Sequence, residues 1–300
     1  MTSESTPSAG TVPSSSNSFT DDSVLVARIE AELLKSAKGS ERFKQQIPLL
    51  LRKAIDEVID APRTGRFTID EIEKTEKTYL GTKVEIFLRS WLRLPKGKIL
   101  DLSINGIEAD IKNTMGSNWM IPAEALGHPC ILVKTDEKLS RFSIGILVIR
   151  SEHLCAGKNR DGKQSISANG RKRIHWLMKD EVYPENIWTG FTSELRQGIT
   201  SRPPGTKRVD ALFRFVQGKP ISRAHVLAVA PQKDAMKRLR KNGGARDSLA
   251  EDGIALLSGN YDKDLIAKLK LPLCKKDEFI SYQPTGEVEK SELRSLGRIR

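Results

Sequence analysis

Apolar and polar positions repeat along this chain with two different periods. Val24, Leu25, Ile29, Leu33 and Leu34 recur at helical spacing, and Ile47, Leu50, Leu51, Ile55 and Ile59 continue it in a second helix from about Glu41 that Pro62 ends. Thr68-x-x-Glu71 and Thr82-x-x-Glu85 are both capping-box patterns, so one helix or two consecutive ones lead up to Leu92. Val84, Phe87, Leu88, Trp91 and Leu92 form the apolar stripe of the last turns, with Glu85 at its margin.

The period then changes to two. Leu100, Leu102 and Ile104 alternate with Asp101 and Ser103; Asn105-Gly106 intervenes; Ile107, Ala109 and Ile111 alternate with Glu108, Asp110 and Lys112. This predicts a β-hairpin closed by a two-residue type I′ turn, which needs positive φ at both central residues. Cys130 to Val133 and Phe142 to Ile149 read as buried strands.

Farther along, 159–166 is polar and Gly-bearing, and a linker is expected there. Helices are predicted over 167–178, 209–217 and 232–241, a shorter helical segment over 245–250, and a strand over 253–258; 221–229 fits either period. The expected organisation is a disordered tail over 1–22, an α/β domain over 23–158, the linker, an α+β domain over 167–280 and a polar tail over 281–300.

Charge changes the picture of the second half. The net charge is +12, yet residues 1–160 carry 23 Lys/Arg against 21 Asp/Glu, while the remainder carries 27 against 17. An excess of that kind attracts polyanions, nucleic acid foremost, although a silent basic surface has the same composition. Lys237, Arg238, Arg240, Lys241 and Arg246 surround Asn242-Gly243-Gly244, and helix, Gly turn, helix, strand is the order of a winged helix-turn-helix module. No apolar run reaches membrane-span length, and the first residues lack a signal-peptide pattern, so a cytoplasmic protein with no membrane partner is expected. Cys130, Cys155 and Cys274 form no CxxC pair, and the four histidines are scattered; none is assigned a role.

The hairpin holds the candidate chemistry. With Asn105-Gly106 as the loop, Asp101 falls opposite Asp110, and directly opposed residues have Cβ atoms about 4.5–5.5 Å apart. Two carboxylates at that spacing can hold a divalent cation, and Lys112 lies on the same face to orient or activate water. A helix laid on the hairpin can aim Glu85 at the pair. The same residues also suit an ordinary solvated polar face, with Glu85 as a surface or capping glutamate.

These residues resemble the NaeI family of type IIE restriction endonucleases. The likeness runs through RTGRF at Arg63, KTEKTYLGTKVEI from Lys74, the D-x8-D-x-K of Asp101, Asp110 and Lys112, and WMIPAEALGHPC from Trp119. VDALFRFVQGKPISRA from Val209 and MKRLRKNGGARDSLAEDGIALLSG from Met236 extend it to most of the chain between about Arg28 and Pro272.

The family's PD-(D/E)xK pattern lands on Asp101, Asp110 and Lys112 with Glu85 as supporting acid, and Leu100 stands where the general motif has Pro. The resemblance implies a mixed-sheet nuclease core and a C-terminal helix-turn-helix domain in a homodimer. It implies sequence-specific double-strand cleavage with Mg²⁺ as cofactor and 5′-phosphate products, activated by a second bound copy of the site. Its ligands would be Asp101, Asp110 and the Ile111 carbonyl, with Glu85 serving a second metal or a water. Two other readings remain: a non-catalytic winged-helix regulator, and a nicking repair endonuclease on the same core.

Overall fold

A computed structural model describes the backbone of residues 16–232 and 234–300, with the side chains of 16–20 and 62 left out of the description. It has eleven helices, α1 (Ser16–Ser36), α2 (Ser40–Ile59), α3 (Ala61–Thr64), α4 (Lys74–Leu92), α5 (Ala168–Lys172), α6 (Ser193–Thr200), α7 (Thr206–Phe215), α8 (Arg223–Val229), α9 (Ala245–Glu251), α10 (Lys263–Lys268) and α11 (Glu287–Ser295), among the described residues. None is long and apolar enough to cross a membrane. Two compact units divide the chain, one of residues 1–55 and 74–185, the other of 56–73 and 186–300.

The first unit is built on a mixed five-stranded sheet in the order β1 (Leu102–Ile104), β2 (Ile107–Thr114), β4 (Pro129–Asp136), β5 (Arg141–Val148), β8 (His175–Val182). β2 and β4 run parallel and the other neighbours antiparallel. A second sheet orders β3 (Met120–Ile121), β7 (Gln164–Ile166) and β6 (Leu154–Lys158).

The hairpin forms in the expected register, Leu102↔Ala109, Ser103↔Glu108 and Ile104↔Ile107. Asn105 and Gly106 have φ of 51° and 78°, the two positive values the turn requires. α4 is one continuous helix, so Thr82 and Glu85 lie in its interior and cap nothing; the Thr68–Glu71 box does start a short 3₁₀ turn. Leu80, Val84, Leu88 and Leu92 are its buried stripe, spaced four apart. Leu88 and Leu92 share a core void with Leu102 and Ile111, so α4 covers the face of β2 that carries Ala109 and Ile111.

Several expectations are corrected. The 159–166 linker lies inside the first unit because Gln164–Ile166 is a strand paired on both sides. Only Ala168–Lys172 of the predicted helix over 167–178 is helical; the run from His175 pairs antiparallel with β5. The boundary therefore falls at 185–186. Within the tail expected over 1–22, residues 1–15 lie outside those described, whereas Ser16 onward is α1 and Asp22 pairs with Arg150 at 2.5 Å.

In the second unit, α7, β9 (Ile221–Ser222), α8, a 3₁₀ turn (Ala235–Leu239), α9, β10 (Ala255–Ser258), α10 and β11 (Glu278–Tyr282) follow one another, with sheet order β10, β11, β9. The expected helix over 232–241 is thus only that five-residue turn. Residues 56–73 join this unit because Phe67 stacks on Trp188, centroids 4.3 Å apart, and its carbonyl accepts from Asn186 Nδ2 at 2.8 Å. The polar tail expected over 281–300 is structured, since Ser281, Leu293 and Ile299 are buried.

Candidate active site

β2 has Ala109 and Ile111 on its helix-covered face, so Asp110 and Lys112 project from the other. β1 begins at Leu102, one residue after Asp101, and the ladder stops at Leu102↔Ala109. Asp101 is therefore not the ordinary cross-strand partner of Asp110 that the alternation predicts. Its side chain extends the missing edge instead: Asp101 Oδ2 accepts the Ile111 N–H at 2.9 Å.

Lys112 joins the two acids. Its Nζ donates to Asp110 Oδ1 at 2.6 Å, to the Ile111 carbonyl at 3.1 Å and to Asp101 Oδ2 at 3.5 Å. These are the oxygens assigned to a metal from the sequence, and the ammonium sits among them as a cation would. Asp110 Oδ2 is buried and has no hydrogen-bond partner, an acceptor left open on a carboxylate only 2% exposed. Oxygen donors of this kind suit a hard divalent cation.

The electrostatics of the pair are uneven. Burial, reinforced by the neighbouring Asp101 carboxyl, raises Asp110 to about 7 despite the ammonium at 2.6 Å. Burial pushes Asp101 up too, but the adjoining Asp110 carboxyl, the Ile111 N–H and the Lys112 ammonium outweigh it and hold Asp101 below its ordinary value. Lys112 is nearer to Asp110, yet Asp110 is the acid that keeps a proton, because it is the more deeply buried and has no backbone donor. For Lys112, desolvation is outweighed by the two acids, so its pKa is raised and it remains an ammonium.

Glu85 stands near enough for the charges of Asp101 and Lys112 to act on it, but no three His, Cys, Asp or Glu side chains among the described residues come together as a metal site. α4, which carries Glu85, covers the face of β2 opposite Asp110. Arg89, one turn on, bridges Glu85 Oε1 at 3.4 Å and the Asp101 carbonyl at 3.2 Å. Burial and then the charge of Asp101 raise the Glu85 pKa. Arg89 was missed from the sequence, although its i,i+4 spacing from Glu85 was a usable signal.

The basic candidates of the second unit are scattered over the turn and α9. Arg240 and Lys241 are exposed, and Lys237 is exposed beside Asp234 at 3.3 Å. Arg238 Nε donates to Gln232 at 2.9 Å. Arg246 is half-buried on α9, and burial lowers its pKa against the opposing charge of Asp262.

Two comparisons bear on this geometry. The family model described as restriction endonuclease NaeI matches residues 30–289. The type II restriction enzyme NaeI of Lentzea aerocolonigenes is 34% identical over 242 residues, which is 77% of this chain and 76% of that protein. The chain belongs to the NaeI family of restriction endonucleases.

Proposed function

We propose that this chain cleaves both strands of duplex DNA at a specific sequence, by Mg²⁺-dependent phosphodiester hydrolysis on a PD-(D/E)xK core. The observation that carries the reading is the convergence of Asp101, Asp110, the Ile111 carbonyl and the Lys112 ammonium on one edge of the sheet. Family membership supports it, since type II restriction endonucleases generally use divalent metal ions. Asp101, Asp110 and the Ile111 carbonyl would hold the ion, and Glu85 would serve a second metal or a water. Bound Mg²⁺ supplies Lewis-acid stabilisation of phosphate charge and lowers the pKa of water.

The chain's own groups do the remaining work. Lys112 keeps its proton at neutral pH, which favours a role in orienting water and stabilising charge on the phosphorane over a role as base. Asp110 gives up its proton to become a ligand, because a carboxylate must be deprotonated to hold a cation. The products carry 5′-phosphate and 3′-hydroxyl ends.

The second unit is proposed as a winged helix-turn-helix domain for an effector duplex, with the chain acting as a homodimer in the cytoplasm. Part of its element order supports this: helix, strand, helix, turn, helix and strand run from α7 to β10, and β11, which follows α10, pairs with β10 and carries the short first strand on its other edge. Lys237, Arg238, Arg240, Lys241 and Arg246 are the proposed phosphate contacts.

Incubation with plasmids of diverse sequence in Mg²⁺, followed by sequencing of the fragment ends, tests the reading. One recurrent sequence cut on both strands is expected. Nicked circles alone, or no cutting, would refute it.

A further inference from the structure

Asp101 arrives at the site from a loop, not from a strand. Residues 97–101 form no helix or ladder, so the sheet does not fix the path of the chain that leads to Asp101. Glu108 does. It lies two residues before Asp110 on the same face of β2 and turns back over the loop. Its Oε1 accepts the Lys98 N–H at 2.9 Å, and its Oε2 accepts those of Ile99 at 3.0 Å and Leu100 at 2.9 Å. Three successive amides thus converge on one carboxylate, immediately before Asp101.

Gly97 opens this loop, and the wrapping leaves no room for a side chain there. A Cβ at 97 would lie 2.5 Å from Glu108 Oε2 and 2.5 Å from the Leu100 carbonyl. The Ser103 N–H donates to the Pro95 carbonyl at 3.0 Å and closes the loop from its far end. Hydrogen bonds to an ionised acceptor are roughly twice as strong as neutral ones, and runs of successive N–H groups make natural anion cradles.

We infer that Glu108 is a positioning residue for cleavage: it clamps 97–101 so that the Asp101 carboxylate stands beside Asp110 and Lys112. Both of its oxygens accept from the loop, so the role inferred for it is to hold the loop, not the metal or the DNA. The inference rests on the proposed role of Asp101 and deepens it. Without the clamp the three amides turn to water, and Asp101 loses the fixed approach that lets it accept the Ile111 N–H.

Full-length Glu108→Ala, Glu108→Gln and Gly97→Ala test this with three readings: Ile111 amide exchange in metal-free protein, titration with Mn²⁺ alone, and the Mg²⁺ dependence of cleavage. For Glu108→Ala, Ile111 exchange is expected to quicken at least tenfold and the Mn²⁺ half-saturation point to rise at least tenfold. Half-maximal cleavage then needs more Mg²⁺ by a similar factor, while metal-free DNA binding stays at the wild-type level. Glu108→Gln keeps one acceptor oxygen and falls between. Gly97→Ala, which displaces the loop without removing a charge, moves the readings the same way.

Wild-type Ile111 exchange and wild-type Mn²⁺ affinity in Glu108→Ala would overturn the inference, and if that variant does not fold, Glu108→Gln decides by the same two readings. A wild-type chain that neither takes up Mn²⁺ nor cuts DNA would refute the proposed function instead, and Ile111 exchange would still decide whether Glu108 clamps the loop.

Discussion

Lys112 Nζ lies 2.6 Å from Asp110 Oδ1, so this ammonium is bonded to the more deeply buried of the two acids. That ammonium partly neutralises the two acids. Under the proposed mechanism the same oxygens would hold a divalent ion and the ammonium would serve the phosphate.

Lys112→Ala tests that double role. The variant should lose about 10²- to 10³-fold in kcat, the effect of removing one group that stabilises developing charge. Metal uptake should persist, because Asp101, Asp110 and the Ile111 carbonyl remain. Single-turnover cleavage and Mn²⁺ titration measure the two separately, and wild-type kcat would remove Lys112 from the chemistry.

The Asp110 carboxyl makes metal-free stability depend on pH. Burial and Asp101 raise it to about 7 from its ordinary 3.8, so folding takes up a proton between those values. The stability that the protonated form provides is complete below pH 3.8 and is lost as pH rises toward 7. Denaturant unfolding of the metal-free wild type should show this decline, and Asp110→Asn, which has no titrating group, should show a flatter profile. Identical slopes for the two proteins would mean that Asp110 does not keep its proton.

How far the sequence foretold this site depended on whether local pattern or distant pairing decided each element. The hairpin was legible because its signal is local: alternation on both sides of Asn105-Gly106, and a turn that demands the φ values found there. The same alternation placed Asp101, Asp110 and Lys112 together. It could not show that β1 stops at Leu102, which frees the Asp101 side chain to accept the Ile111 N–H, nor that Glu108 reaches back across the loop.

Where distant partners decide, local reading failed. His175 to Val182 is a strand because β5 offers it an edge, and the short apolar stretch Trp176 to Met178 fits either period. Phe67 sits in the second unit because of Trp188, 121 residues away in sequence, and nothing near Phe67 announces it. The 3₁₀ turn at Ala235–Leu239 likewise broke a helix that basic amphipathicity predicted.

Two-site coupling gives a third prediction. If the second unit holds an effector duplex that favours the cutting state, a one-site plasmid is cut slowly, and a short duplex carrying the site accelerates it in trans. Changing Lys237, Arg240 and Lys241 to Gln together should abolish that acceleration. It should also flatten the salt dependence of effector binding, by about 0.9 in log–log slope for each phosphate no longer neutralised. Equal rates on one-site and two-site plasmids, unmoved by added duplex, would make this chain an endonuclease without effector control.

The central claim is that Asp101, Asp110 and Lys112 form the centre that cuts DNA. Cleavage of a site-bearing plasmid in Mg²⁺ by Asp110→Ala, with DNA binding measured on the same preparation, tests it most directly. The account predicts no detectable cutting with DNA binding equal to or tighter than wild type, since removing one acid relieves the repulsion between the paired carboxylates. Cutting at the wild-type rate would contradict it.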